Sequence, residues 1–193
     1  MTELAQSLPR TYTARRVVLA VALAAGLAVA STLSILSLTR GHDGRASSVH
    51  VYTAPGHAFS IGYPAGWQAL PAARLRGVKG APALILRSAD RRAMIVVRPT
   101  AAPGNEPLAK LAAALTAELK RRFADFKPVG ARLAPTRSGA AFLYTFARTK
   151  AGLVQSIMVA RAHGRAYSLY AVAPAGAPGI ARQTGQILGT FGQ

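Results

Sequence analysis

Residues 17–38 run for 22 positions without a charged side chain, entered directly behind Arg15-Arg16 and left at Arg40. As a helix rising about 1.5 Å per residue, the run is roughly 33 Å long, enough to cross a hydrocarbon core of roughly 30 Å. The rest of the chain is therefore a domain held at a membrane or exported across one.

Two readings of the run compete. A secretory signal needs a basic start, a shorter apolar stretch and small residues before a cut, and Arg10, Arg15 and Arg16, residues 17–27, and Ala28-Val29-Ala30 before Ser31 supply all three. The apolar stretch does not stop at that cut but continues through Leu33, Ile35, Leu36 and Leu38, as a membrane span does. The expectation is an uncleaved transmembrane helix over 17–39, with a cytoplasmic tail at 1–16 set by its positive flank and short length. Cleavage between Ala30 and Ser31, releasing the rest, is the alternative. The Arg15-Arg16 pair reads as an ordinary basic flank, because no cofactor motif comes after it that would require export in a folded state. The chain has no Cys, which excludes disulfides, thiolate metal sites and a lipid-modified Cys.

Residues 40–48 are polar and contain Gly, a short tether, and 49–193 give about 145 residues, enough for one core. Alternation of apolar residues predicts a strand pair from Val49, Val51, Phe59, Ile61 and Tyr63 around Ala54-Pro55-Gly56, with Tyr63-Pro64 ending the second strand. A second hairpin is expected at 83–87 and 93–98, closed by Pro99. Residues 106–126 read as a helix entered at Asn105 and Pro107, with Leu108, Leu111, Leu115, Leu119, Phe123 and Phe126 as its apolar stripe. Strands at 128–134, 140–148, 153–162 and 165–173 form a meander, and a helix at 178–191 buries Ile180, Thr184, Ile187, Leu188 and Phe191.

The segment Phe59-Ser60-Ile61-Gly62-Tyr63-Pro64-Ala65-Gly66-Trp67 has a structural meaning of its own. Phe59, Ile61 and Tyr63 point into a core, Pro64 ends the strand, and Gly66 lets Trp67 pack back. The same segment resembles the opening of PsbP-like domains, a group that includes the extrinsic photosystem II protein, a nuclear import factor and many bacterial envelope proteins. The resemblance covers roughly 49–191. It implies an α+β fold, an antiparallel β-sheet with helices on both faces, here behind an N-terminal transmembrane helix. Members of the group act mostly by binding proteins, so it implies a module and passes on no functional residue.

Chemistry is sparse. His42, His50, His57 and His163 lie in the tether, a strand and two turns, without metal-ligand spacing; only His50 and His57 could meet, across the first hairpin. Beyond the span the acids are Asp43, Asp90, Glu106, Glu118 and Asp125, too few and too scattered for a paired-carboxylate site. No serine sits in a Gly-x-Ser-x-Gly elbow and no phosphate loop is present. No enzyme activity, cofactor or metal is expected.

Charge is the second strong signal. After Thr39 there are 21 Lys and Arg against 5 Asp and Glu. Such an excess attracts polyanions, which outside a membrane means anionic lipid headgroups or acidic wall polymers, each basic residue near an anionic surface contributing about 1 kcal/mol. Arg74, Arg76 and Lys79, Arg91 and Arg92, and Lys120, Arg121 and Arg122 are the candidate clusters. The leading expectation is a non-catalytic, membrane-anchored extracytoplasmic binding or accessory module of the bacterial cell envelope, engaging lipid, wall polymer or an envelope protein. A carrier or enzyme using an apolar pocket between sheet and helix is the second class. A nucleic-acid binder is the third, disfavoured by the extracytoplasmic location.

Overall fold

The computed structural model describes residues 48–71, 82–101 and 107–192. The expected span at 17–39, the tail at 1–16 and all of the tether except Ser48 lie outside the described residues. No helix among the described residues is long and apolar enough to cross a membrane.

The elements run β1 (Val49–Thr53), a 3-10 turn (Pro55–His57), β2 (Ser60–Pro64), β3 (Trp67–Pro71), β4 (Leu84–Ser88), β5 (Met94–Thr100) and α1 (Leu108–Arg122). After α1 come β6 (Phe126–Thr136), β7 (Gly139–Arg148), β8 (Leu153–Ala162), β9 (Arg165–Pro174) and α2 (Pro178–Gly189). Strands β3 to β9 form one seven-stranded antiparallel sheet in the order β3-β4-β5-β9-β8-β7-β6. Helix α1 carries the chain from β5, near the middle, to β6 at the far edge. The meander then returns strand by strand until β9 pairs with β5.

This route covers one face. Leu111, Leu115 and Leu119 recur at one-turn steps on α1 and pack with Phe123 over Phe142, Tyr144, Phe146, Ile157, Val159 and Tyr170. On the other face Leu84, Leu86, Ile95, Val97, Met158 and Leu169 lie under α2 and the β1-β2 hairpin. Because both faces are covered, β9 alternates between two cores and reads as a nearly continuous buried run from Ala166 to Ala171. The β8-β9 turn is the two-residue type that needs positive φ twice, and His163 (47°) and Gly164 (73°) provide it.

Two expectations need correction, the end of α1 and the place of Pro99, and the structure also places the first strand pair and the two histidines. The first strand pair forms as expected, but as a separate two-stranded sheet stacked on the core and not as part of the main one. Its Val49 and Val51 are 65% and 54% exposed. Helix α1 ends at Arg122, not at residue 126: Phe123 is already extended (φ −128°, ψ 109°) although its N–H still reaches the Leu119 carbonyl. Phe126 joins the same core from β6, 5.5 Å from the Phe146 ring, so the apolar stripe outlasts the helix. Pro99 lies inside β5, where that strand has outrun β4 and pairs only with β9, a position with edge-strand tolerance for a residue lacking an N–H. Finally, His50 stands opposite Tyr63, ring centroids 5.7 Å apart, and His57 lies in the turn beyond, so the two histidines are not brought together.

The end of α2 locks these layers together. The Thr190 hydroxyl accepts the Gly62 N–H at 2.8 Å and lies 2.6 Å from the Ile187 carbonyl. Ser60 and Gly192 exchange both backbone hydrogen bonds, at 2.6 and 3.0 Å. Phe191, fully buried, packs against Phe59 and Tyr167. Gly192 sits so close to the β6-β7 turn that a Cβ there would lie 2.7 Å from the Arg137 Cβ.

Thr190→Val keeps the shape but leaves the Gly62 N–H without its acceptor, an expected loss of about 1–3 kcal/mol. Thermal unfolding followed by the emission of Trp67, the single tryptophan, should show Tm lowered by several degrees; an unchanged Tm would remove this contact from the account of how the hairpin is held.

Candidate anion-binding surface

The three candidate clusters fare differently. Arg74, Arg76 and Lys79 lie outside the described residues. Arg91 and Arg92 occupy the β4-β5 turn, built around Asp90: its carboxylate accepts the Ser88 hydroxyl (2.6 Å), the Arg92 N–H (3.1 Å) and the Arg92 guanidinium (2.8 Å). Partial burial works against ionisation, but Ser88 and Arg92 hold Asp90 below the usual carboxylate range. Arg91, at φ 59°, is thereby presented outward. The exposed Asp90-Arg92 pair orders the turn and adds little stability.

Lys120, Arg121 and Arg122 form the last turn of α1, where cations are favoured by the helix dipole. All three are exposed. Arg121 pairs with Glu118 one turn back, and the Arg122 guanidinium lies 5.9 Å from the Phe123 ring.

Register places these two clusters at one end of the sheet. Arg87 pairs with Met94 around the β4-β5 turn, Met94 with Val172, and Pro174 with Leu153, which pairs with Arg148 opposite Phe126, just beyond α1. Lys127 and Lys150 lie at this same end. The opposite end carries Arg137 in the β6-β7 turn and Arg161 and Arg165 beside the β8-β9 turn. Sequence reasoning missed this second group because its members are separated along the chain. The signal was there, since each turn of the meander has a basic residue in or beside it.

Asp125 is the residue whose role sequence reasoning missed most. Expected in the helix, it instead organises the β7-β8 turn: it pairs with the Arg148 guanidinium and accepts the N–H groups of Lys150 (3.1 Å) and Ala151 (3.2 Å). Arg148 in turn covers the Phe123 ring at 4.0 Å. Burial would raise the Asp125 pKa, but Arg148 and the Ala151 N–H outweigh it and hold the carboxyl below the usual range. Beneath this group the Tyr170 hydroxyl is buried beside Gln155. Burial pushes that hydroxyl above the usual phenol range, against the charges of Arg148 and Arg122.

The motif residues behave as core. Phe59, Ile61 and Trp67 are buried, Tyr63 is half-buried, Pro64 ends β2, and Gly66 turns at φ 90°. The Trp67 Nε1 donates to Gln183 Oε1 at 2.9 Å, joining β3 to α2. Among the described residues no group of three His, Cys, Asp or Glu could hold a metal ion. An open cleft of about 230 Å³ lies between the β1-β2 hairpin and α2, lined by Tyr63, Pro64, Gln183 and Ile187 among others. It lies between the small two-stranded sheet and α2, and it is smaller than the ~300–1,000 Å³ common for small-molecule sites.

No family model and no curated protein matches the chain. Among solved structures it is similar to cyanobacterial PsbP (CyanoP) from Synechocystis, with a TM-score of 0.51 and 14% identity over 79% of this chain and 96% of that one. It is also similar to the Saccharomyces cerevisiae Ran-binding protein Mog1p, with a TM-score of 0.51 and 11% identity over 75% of this chain and 95% of that one. At such identity the likeness shows the fold alone, and that fold is the one the Phe59-to-Trp67 motif led to.

A carboxyl with a lowered folded pKa contributes stability above the pKa of the unfolded chain, about 4, and loses it as pH falls through the folded value. Asp125→Asn should therefore be less stable at neutral pH and lose less stability than the parent protein below pH ~4. Parallel acid-unfolding curves for the two chains would sink this assignment.

Proposed function

We propose that this chain, whose fold is that of the PsbP-like domains, is a non-catalytic binding or accessory module of the bacterial cell envelope. It is held by a single membrane span at 17–39, with the domain outside the cytoplasm and a basic surface that engages a polyanion. One observation carries the reading. The described residues include 16 Lys and Arg against three Asp and Glu, and each acid is already engaged by Arg92, Arg121 or Arg148. So few acids leave the folded domain with a large net positive charge. That charge is spread over turns and a helix end, which suits a surface that meets an extended anion and not one that encloses a small substrate.

A protein partner is the second reading. It is supported by the similarity to a Ran-binding protein and by the exposed Val49 and Val51 on the hairpin.

Full-length chain should bind vesicles containing phosphatidylglycerol in excess of its binding to neutral vesicles, and the excess should fade as salt approaches ~1 M, where screening shortens to roughly 3 Å. Charge reversal at Arg91, Arg92, Lys120, Arg121 and Arg122 should remove much of that excess. Equal association with neutral and anionic vesicles at low salt would exclude the polyanion. In intact cells, added protease should degrade the domain; protection until the cells are opened would exclude the outside location.

A further inference from the structure

We infer that the sheet end bearing Arg91, Arg92 and Lys120 to Arg122 faces the anionic headgroups of the bilayer in which the chain is anchored. This rests on the reading of residues 17–39 as a retained span.

The argument starts from where the chain enters the domain. The Ser48 carbonyl accepts the Ala65 N–H at 2.8 Å, and Val49 stands opposite Pro64. Gly66 then turns the chain into Trp67, which pairs with Ser88 at the start of the Arg91-Arg92 turn. The entry point and the two basic clusters therefore share one end of the sheet. Arg137, Arg161 and Arg165 sit at the other, ten-residue strands away, about 33 Å at ~3.3 Å per residue.

Distance then separates two ends of similar charge. Nine residues, 40–48, join the expected span to the domain, and a chain of that length reaches at most roughly 32 Å. Fixed charge on a membrane is felt over about 8 Å at physiological salt. The entry end, joined directly to the tether, is the part of the domain nearest the anchor and can be brought within that range, whereas the far end is displaced by a further strand length. The segment 48–71 that leads in carries no Lys, Arg, Asp or Glu and exposes Val49 at the entry, and the three described acids at this end, Asp90, Glu118 and Asp125, are each paired with an arginine, so the end stays net basic.

The absence of Cys makes the test direct. Ala89→Cys and Ala140→Cys place a single fluorophore on exposed positions at the entry end and the far end. The full chain, reconstituted in phosphatidylglycerol vesicles bearing a headgroup nitroxide quencher, should show severalfold stronger quenching at position 89 than at 140. The difference should shrink in neutral phosphatidylcholine vesicles and in high salt. It should also shrink when Arg91, Arg92, Lys120, Arg121 and Arg122 are changed to Glu, but persist when Arg137, Arg161 and Arg165 are changed instead, with Trp67 emission reporting folding in each case. Equal quenching at both positions, or stronger quenching at 140, with the chain retained after an alkaline wash would overturn the inference alone. Release of the chain by that wash would overturn the anchor reading, and the inference with it.

Discussion

A seven-stranded sheet with apolar side chains on both faces needs two separate covers, and most of this fold comes from supplying them. The central strand β9 contributes Leu169 and Ala171 to one core and Tyr170 to the other. Neither face could be left to water without exposing a large apolar area. The long connection from β5 to β6 becomes one cover as α1. The β1-β2 hairpin and α2, far apart in sequence, combine as the other. Thr190, Phe191 and Gly192 matter beyond their size because they tie that second cover to itself and to the β6-β7 turn.

The same economy explains the electrostatics. The described acids are few, and each stands next to an arginine at a turn or a helix end: Asp90 within the β4-β5 turn, Glu118 near the end of α1, Asp125 at the β7-β8 turn. They order the backbone and leave the domain strongly positive. A domain built this way has a surface that favours anions in general, and selectivity among them depends on which part of the surface is brought near which anion. Topology matters for that reason, since it brings Arg91 and the end of α1 to the sheet end at which the chain enters.

Much of the fold was legible because strand alternation and helical periodicity report burial directly. Residues 153–162 were read with the bounds the strand has, and the β4-β5 hairpin was displaced by only a residue or two. The misplaced end of α1 has a definite cause. Phe123 and Phe126 continue the helical apolar spacing because they belong to the same core, although the backbone has already left the helix there. Periodicity records which core a residue joins, and not which backbone carries it. Likewise Val49 and Ile61 alternate as strands do, but alternation cannot say whether a strand joins the main sheet or a separate one.

From residue order alone came the uncharged run at 17–38, the excess of base over acid, the missing Cys, and a motif that pointed to an antiparallel sheet with helices on both faces. These are local or additive properties, readable wherever the chain goes. Tertiary structure settled the rest: which turns share an end of the sheet, that Asp125 serves a turn 25 residues further on and not its own helix, and that Arg137, Arg161 and Arg165 form a second group opposite the first. Each of these depends on strand register across several hairpins, a long-range pairing that no short stretch of sequence contains.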